Sequence, residues 1–325
     1  MFRALQIAAA LAAVLACCVG AVPAGARIAD AARHRHSRHA IRSAAEGGCP
    51  LFPADNALNQ EVATLPASPN SQAYIESIGL TAHVHPDFGN NPAYGIPYEV
   101  VASDQPKVPV KFGAYRSESD PGPYPIPADA AIEGGGRKGR GDKHVLVMQE
   151  GSCIDYELYK ASRNSRGAGW KASSGAVFNL RSNALRPERW TSADAAGLPI
   201  LPLLARYQEV GAGAIDHALR VTVPRTQKAY IHPATHFASS SADTALPPMG
   251  LRLRLKAGYS LAGFSGQALI ILVALKRYGL IVADNGSPWY ITGAPSAGWN
   301  EASLEQLKQV PGSAFEALDT GPIIR

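Results

Sequence analysis

The chain has 325 residues, 46% of them hydrophobic, with 31 Lys and Arg against 26 Asp and Glu and a net charge of +5. Residues 1–48 hold six Arg against two acids, so +4 of that +5 sits there and the remainder is nearly neutral. A nucleic-acid-binding domain carries a basic face, which argues against that class for the body of the chain. Lack of a G-x-S-x-G elbow, of a P-loop and of a G-x-G-x-x-G following a predicted strand argues in the same way against serine hydrolases, NTPases and dinucleotide enzymes.

The first element is an export signal over residues 1–26. Phe2 and Arg3 form a short positive start, Ala4 to Val22 is almost unbroken apolar sequence, and Val22-Pro23-Ala24-Gly25-Ala26 supplies an A-x-A cleavage site. Val14-Leu15-Ala16-Cys17 is a loose lipobox, so the alternative to plain secretion or a periplasmic location is a lipoprotein anchored through Cys17. Residues 27–48 are rich in Arg and His, poor in apolar side chains, and expected to be a solvated, disordered tail. Cys17 and Cys18 leave with the signal. Cys49 and Cys153 remain, and an even pair in an oxidising compartment forms one disulfide. No membrane span is expected after cleavage.

Residues 49–325 read as one mainly β domain, a β-sandwich or jelly-roll-like body with a few covering helices. Pro and Gly are spread throughout, which favours short strands joined by turns. Strands are predicted over 98–102, 108–112, 144–149, 154–159, 176–180, 219–223, 229–232, 251–256, 279–284 and 289–292. The pair 144–149 and 154–159 reads as a hairpin. The alternation of Leu251-Arg252-Leu253-Arg254-Leu255-Lys256 reads as a strand with one buried face. Asp284-Asn285-Gly286 reads as a hairpin turn. Helices are predicted over 71–78, over 265–278 (apolar on nearly all sides, hence buried, with Gly279 to stop it) and over 301–309, exposed and charged.

The segments SESDPGPYPIP, SGAVFNLRSNALRP, GAIDHALRVTVPRT and LKRYGLIVADNGSPWYITGAP resemble a group of secreted bacterial proteins. The resemblance covers most of residues 49–325. It implies a single exported domain and carries no reaction, cofactor or catalytic residue across.

Four constellations could carry chemistry. Asp142 and His144 share one face of a strand, as do Asp155 and Glu157 on its partner, with Glu133 nearby. Cross-strand neighbours lie about 5 Å apart, so an acid and His144 could share a cleft. Paired carboxylates suit glycoside hydrolysis, and an acid beside a His suits proton abstraction from a uronate. Polar-out alternation would instead place Asp155 and Glu157 on a solvent face. The second group is His217, which points inward with Ile215 and Leu219 while Asp216 and Arg220 take the other side, together with His232 and His236 on a Pro-containing loop. In the third, His83 and His85 project to one side with Asp87 as a third metal ligand. The fourth is Glu118, Asp120 and Tyr124 on a Pro-locked loop, Tyr124 serving as a stacking platform.

The expectation is a secreted carbohydrate-active enzyme cleaving a polysaccharide, as hydrolase or lyase. Its acid/base candidates are Asp142, His144 and Glu157, with His217 and His236 as further bases and no cofactor. One alternative is a non-catalytic glycan-binding envelope protein that uses Trp170, Trp190, Trp289 and Trp299 as platforms. Another is a metal-dependent hydrolase built on His83, His85 and Asp87.

Overall fold

A computed structural model describes residues 45–135, 141–164 and 169–325. The predicted signal and most of the Arg/His-rich tail lie outside the described residues. Ser43–Arg325 forms one compact unit, mainly β and sandwich-like.

Its two large sheets are mixed. The six-stranded sheet runs in the order Phe315–Ala317, Arg252–Leu255, Leu280–Asn285, Leu219–Val223, Tyr290–Thr292, His85–Asp87. The four-stranded sheet runs Ser174–Asn179, Ile154–Tyr159, Val145–Gln149, Tyr98–Val101. A three-stranded sheet (Val110–Phe112, Trp170–Ala172, Ser162–Arg163) forms a smaller layer. One core joins Leu146, Met148, Ala176 and Phe178 of the four-stranded sheet to Leu219, Val221, Leu253 and Leu280 of the six-stranded one. A second core joins Val145, Val147, Tyr156 and Leu158 to Trp170 and Ala172 of the small sheet.

The four-stranded sheet is therefore covered on both faces, and this overturns the polar-out expectation for its strands. Asp155 and Glu157 pair with Met148 and Leu146, face the main core and are 0% exposed. Alternation marks solvent only where one face of a sheet is wet. Arg252–Leu255 is likewise buried at every position, so its arginines are interior groups and not a solvent face.

Cys49 and Cys153 are joined by a disulfide across 104 residues of sequence, with Cα atoms 5.4 Å apart. It ties the short ladder Ala45–Glu46 with Cys49–Pro50 to the turn between Val145–Gln149 and Ile154–Tyr159. That antiparallel pair is the predicted hairpin.

The helices Ser71–Ile78 and Gly266–Arg277 form where the pattern places them. The second buries Ala268, Ile271, Leu272, Ala274 and Leu275, while Val273 is exposed. Gly279 ends it at φ +72°, where a Cβ would lie 2.2 Å from the Leu253 carbonyl oxygen, so only glycine fits. The predicted helix 301–309 divides into α-helix Glu301–Glu305 and a 3₁₀ turn Gln306–Gln309, and it buries Ser303, Leu304 and Leu307. Residues 229–232 make only isolated bridges through Tyr230. Leu280–Asn285 and Tyr290–Thr292 pair with opposite edges of Leu219–Val223. The Asp284-Asn285-Gly286 segment thus passes over a strand and is not a hairpin turn between neighbours. No described helix is long and apolar enough to cross a membrane.

Candidate functional site

Three consecutive residues of the loop after Thr191 each hold a different side chain. The Ala193 carbonyl takes His144 Nε2 at 3.1 Å. The Asp194 carboxylate receives Arg220 Nε at 3.0 Å and Nη2 at 3.2 Å. The Ala195 carbonyl accepts from His236 Nδ1 at 2.7 Å. Ala196 N donates to the Ala283 carbonyl at 3.0 Å, which seats the loop beside Asp284. The loop is locked from within, since Asp194 N donates to Ser192 Oγ at 2.8 Å and Ser192 Oγ to the Leu198 carbonyl at 2.6 Å.

Arg220 is the centre of charge. It is buried, donates Nη1 to Thr292 Oγ1 at 2.7 Å, and lies 4.0 Å through Nη2 from Asp284 Oδ2. Burial alone would lower its pKa, but Asp194 outweighs burial and raises it, so Arg220 stays a cation. Asp194 is fully covered, whereas the side chains of Asp284 and Glu133 keep 27% and 21% of their exposure. Solvent thus reaches two carboxylates around one buried guanidinium.

Their environments push those carboxylates in opposite directions. Burial, then the Asp194 charge, pushes Asp284 up to about 7, against Arg220 and the Asn285 N–H. Glu133 is held below its ordinary value: burial would raise it, but His144 outweighs that by hydrogen bond and charge. His144 Nδ1 lies 2.7 Å from Glu133 Oε2, and the His144 backbone N–H donates to the same oxygen at 3.1 Å. With an acceptor on each ring nitrogen, His144 carries both hydrogens. Burial lowers its pKa, and Glu133 more than restores it. Asp87, half-buried, is raised first by burial and then by Glu133.

Of the sequence candidates, Asp142 and His144 belong to this assembly, with the Asp142 charge acting on both His144 and Asp284. His144 is not a free base, because both its nitrogens are engaged. His236 joins through the same loop, half-buried, with Nδ1 occupied. Glu157 lies beneath the site: its Oε1 accepts from Ile200 N at 2.7 Å and Leu201 N at 2.9 Å, and no part of it reaches solvent. Burial pushes Glu157 up to about 7 and, with the neighbouring Glu157 charge, Asp155 well above its ordinary value. His217 points inward as expected, but toward other partners. Its Nε2 lies 3.1 Å from Glu209 Oε2 and 3.3 Å from Arg206 Nη2, deep in the core.

His83, His85 and Asp87 do not form a metal site. Among the described residues no group of three or more His, Cys, Asp or Glu is placed to hold an ion. His83 is exposed at a bridge to Pro311, while His85 stacks on Tyr290 at 4.1 Å between ring centroids. The Pro-locked loop is structural. Glu118 accepts from Thr191 N at 2.9 Å, Asp120 pairs with Arg186, and Tyr124 is wholly buried. Trp170, Trp289 and Trp299 are core residues, which leaves Trp190 as the half-buried one of the four.

Asp194, Arg220 and Asp284 were not legible as a site. One signal was available: an Arg inside a strand of Leu and Val needs a buried acid, and acids are few among the apolar segments.

The fold and site define a β-sandwich-like domain with carboxylates gathered around a buried arginine. No protein-family model, curated protein or solved structure matches the chain.

Proposed function

We propose that this chain is an exported carbohydrate-active enzyme that hydrolyses a polysaccharide, with Asp284 as general acid and Glu133 as the ionised base or nucleophile. One observation carries the reading: two solvent-reached carboxylates share the neighbourhood of Arg220, one pushed up to about 7 and the other held down. Opposite displacement of two titratable groups is the arrangement that separates an acid from a base near neutral pH. His144 positions Glu133, and Arg220 with Asp194 positions Asp284. The disulfide and the lack of a described membrane-crossing helix are compatible with work outside the cytoplasm.

The test uses the purified chain from residue 46 with a panel of neutral and acidic polysaccharides, products being read by mass spectrometry. Oligosaccharides that have gained water, lost in Asp284→Asn and Glu133→Gln, support the reading. Products with an unsaturated sugar end replace hydrolysis by β-elimination. No product from any member of the panel removes the enzymatic reading in favour of a glycan-binding one.

A further inference from the structure

Five arginines are buried among the described residues. Four of them face carboxylates: Arg186 with Asp120, Arg206 with Glu209, Arg220 with Asp194 and Arg254 with Glu316. Arg252 is the exception. It is 4% exposed, yet no described carboxylate lies within ion-pair distance. Its Nη1 donates to the Tyr278 carbonyl at 2.9 Å and its Nη2 to the Ala57 carbonyl. Tyr278 closes the helix Gly266–Arg277, whose carbonyl end carries partial negative charge. Those two bonds orient the guanidinium but use only part of its five donors, and a buried cation without a counter-charge is costly.

Arg252 lines a cavity of about 280 Å³. Thr320 lines the same cavity, and its Oγ1 is buried with no hydrogen-bond partner. A buried hydroxyl without a partner is uncommon enough to need an explanation. A missing negative charge and a missing partner for a hydroxyl are both supplied by one oxyanion.

We propose that this cavity binds a small oxyanion, a phosphate or a low-molecular-weight carboxylate, between the Arg252 guanidinium and the Thr320 hydroxyl. Water occupies about 30 Å³ per molecule in the liquid, so the space takes such an ion together with several water molecules. Glu61 and the exposed Asp319 also line the cavity, Glu61 being paired with Arg277, and His232 lines it while bound to Glu188 at 2.8 Å. Arg277 offsets the Glu61 charge and solvent screens the exposed Asp319, so neither cancels Arg252 for an ion seated on the guanidinium. The site shares no residue with the Asp194–Arg220–Asp284 assembly, so it stands or falls separately from the enzymatic reading.

The experiment is calorimetric titration of the purified chain with sodium phosphate and, separately, sodium acetate, ionic strength being held constant with chloride. Saturable binding of one ion per chain is expected, weakened about tenfold or more by Thr320→Val and by Arg252→Lys. Saturation by phosphate alone assigns a phosphoryl ligand, and saturation by acetate assigns a carboxylate. Thr320→Val keeps the side-chain shape and carries the test if the arginine variant does not fold. No saturable heat with either ion, or wild-type binding that Thr320→Val leaves unchanged, overturns the proposal.

Discussion

The buried Asp155–Glu157 pair is expected to contribute a loss of stability as pH rises. In the unfolded chain both carboxyls ionise near 4, while in the folded chain burial pushes Glu157 up to about 7 and Asp155 well above its ordinary value. The folded state therefore binds more protons than the unfolded state over the interval between, and stability is lost with increasing pH there. Below the ordinary carboxyl range both states are protonated and no penalty exists. Moving Glu157 from 4.5 to about 7 corresponds to on the order of 3 kcal/mol, lost across that interval. The perturbation is the double substitution Asp155→Asn with Glu157→Gln. It keeps the shape, retains an acceptor for Ile200 N and Leu201 N, and removes the titration. Urea unfolding followed by tryptophan fluorescence, from about pH 5 to pH 8, gives the stability of both proteins. The variant is expected to gain on the wild type by at least about 3 kcal/mol between those limits, the raised Asp155 carboxyl adding to the Glu157 contribution. A wild-type-minus-variant difference that does not change with pH refutes the reasoning, because the pair would then not hold a proton in the folded state.

Other consequences can be measured in parallel. Asp284→Asn is expected to abolish polysaccharide cleavage while making the protein more stable above neutral pH, since the raised Asp284 carboxyl is destabilising there; thermal melts beside the product assay read both. Arg220→Met leaves Asp194 buried without its partner and is expected to cost about 3–5 kcal/mol in urea unfolding. Replacing Cys49 and Cys153 with alanine frees a loop of 104 residues and is expected to cost about 2–4 kcal/mol. Reductant should then lower the melting temperature of the wild type and leave that variant unchanged. Gly279→Ala is expected to destabilise by more than the ~1 kcal/mol of an ordinary glycine replacement, because its Cβ would strike the Leu253 carbonyl oxygen.

The fold was legible where local pattern and environment agree. Ile154–Tyr159, Leu219–Val223 and Ser71–Ile78 end where their residues say, and the two mature cysteines admit one pairing. Legibility failed wherever a long-range layer changed the meaning of a local pattern. Asp155 and Glu157 alternate like a solvent face, but the three-stranded sheet covers the strand from behind and the six-stranded sheet covers it in front. Leu251 to Lys256 fails in the same way: Arg254 is held by carbonyls and by Glu316, and Arg252 by the carbonyls of Tyr278 and Ala57, all from distant segments. The site was half visible. Asp142, Glu133 and His144 stand together in sequence, but Asp194, Arg220 and Asp284 come from three separate stretches: the parallel pairing of Leu219–Val223 with Leu280–Asn285 joins two of them, and the Ala196 N to Ala283 carbonyl bond brings in the third.

The Cys49–Cys153 crosslink has a mechanical consequence. Force applied to the chain at Ala45 opens the two-residue ladder Ala45–Glu46 with Cys49–Pro50, an opening that stops at Cys49. It passes through the sulfurs to the turn at Cys153 and loads the strands Val145–Gln149 and Ile154–Tyr159 at the heart of the molecule. Gly47 sits against Val100 and Met148 of that same sheet, and Glu46 accepts from the Tyr98 hydroxyl at 2.9 Å. Once that ladder is open, a pull at this end is carried by the four-stranded sheet through the crosslink and not by the N-terminal segment alone.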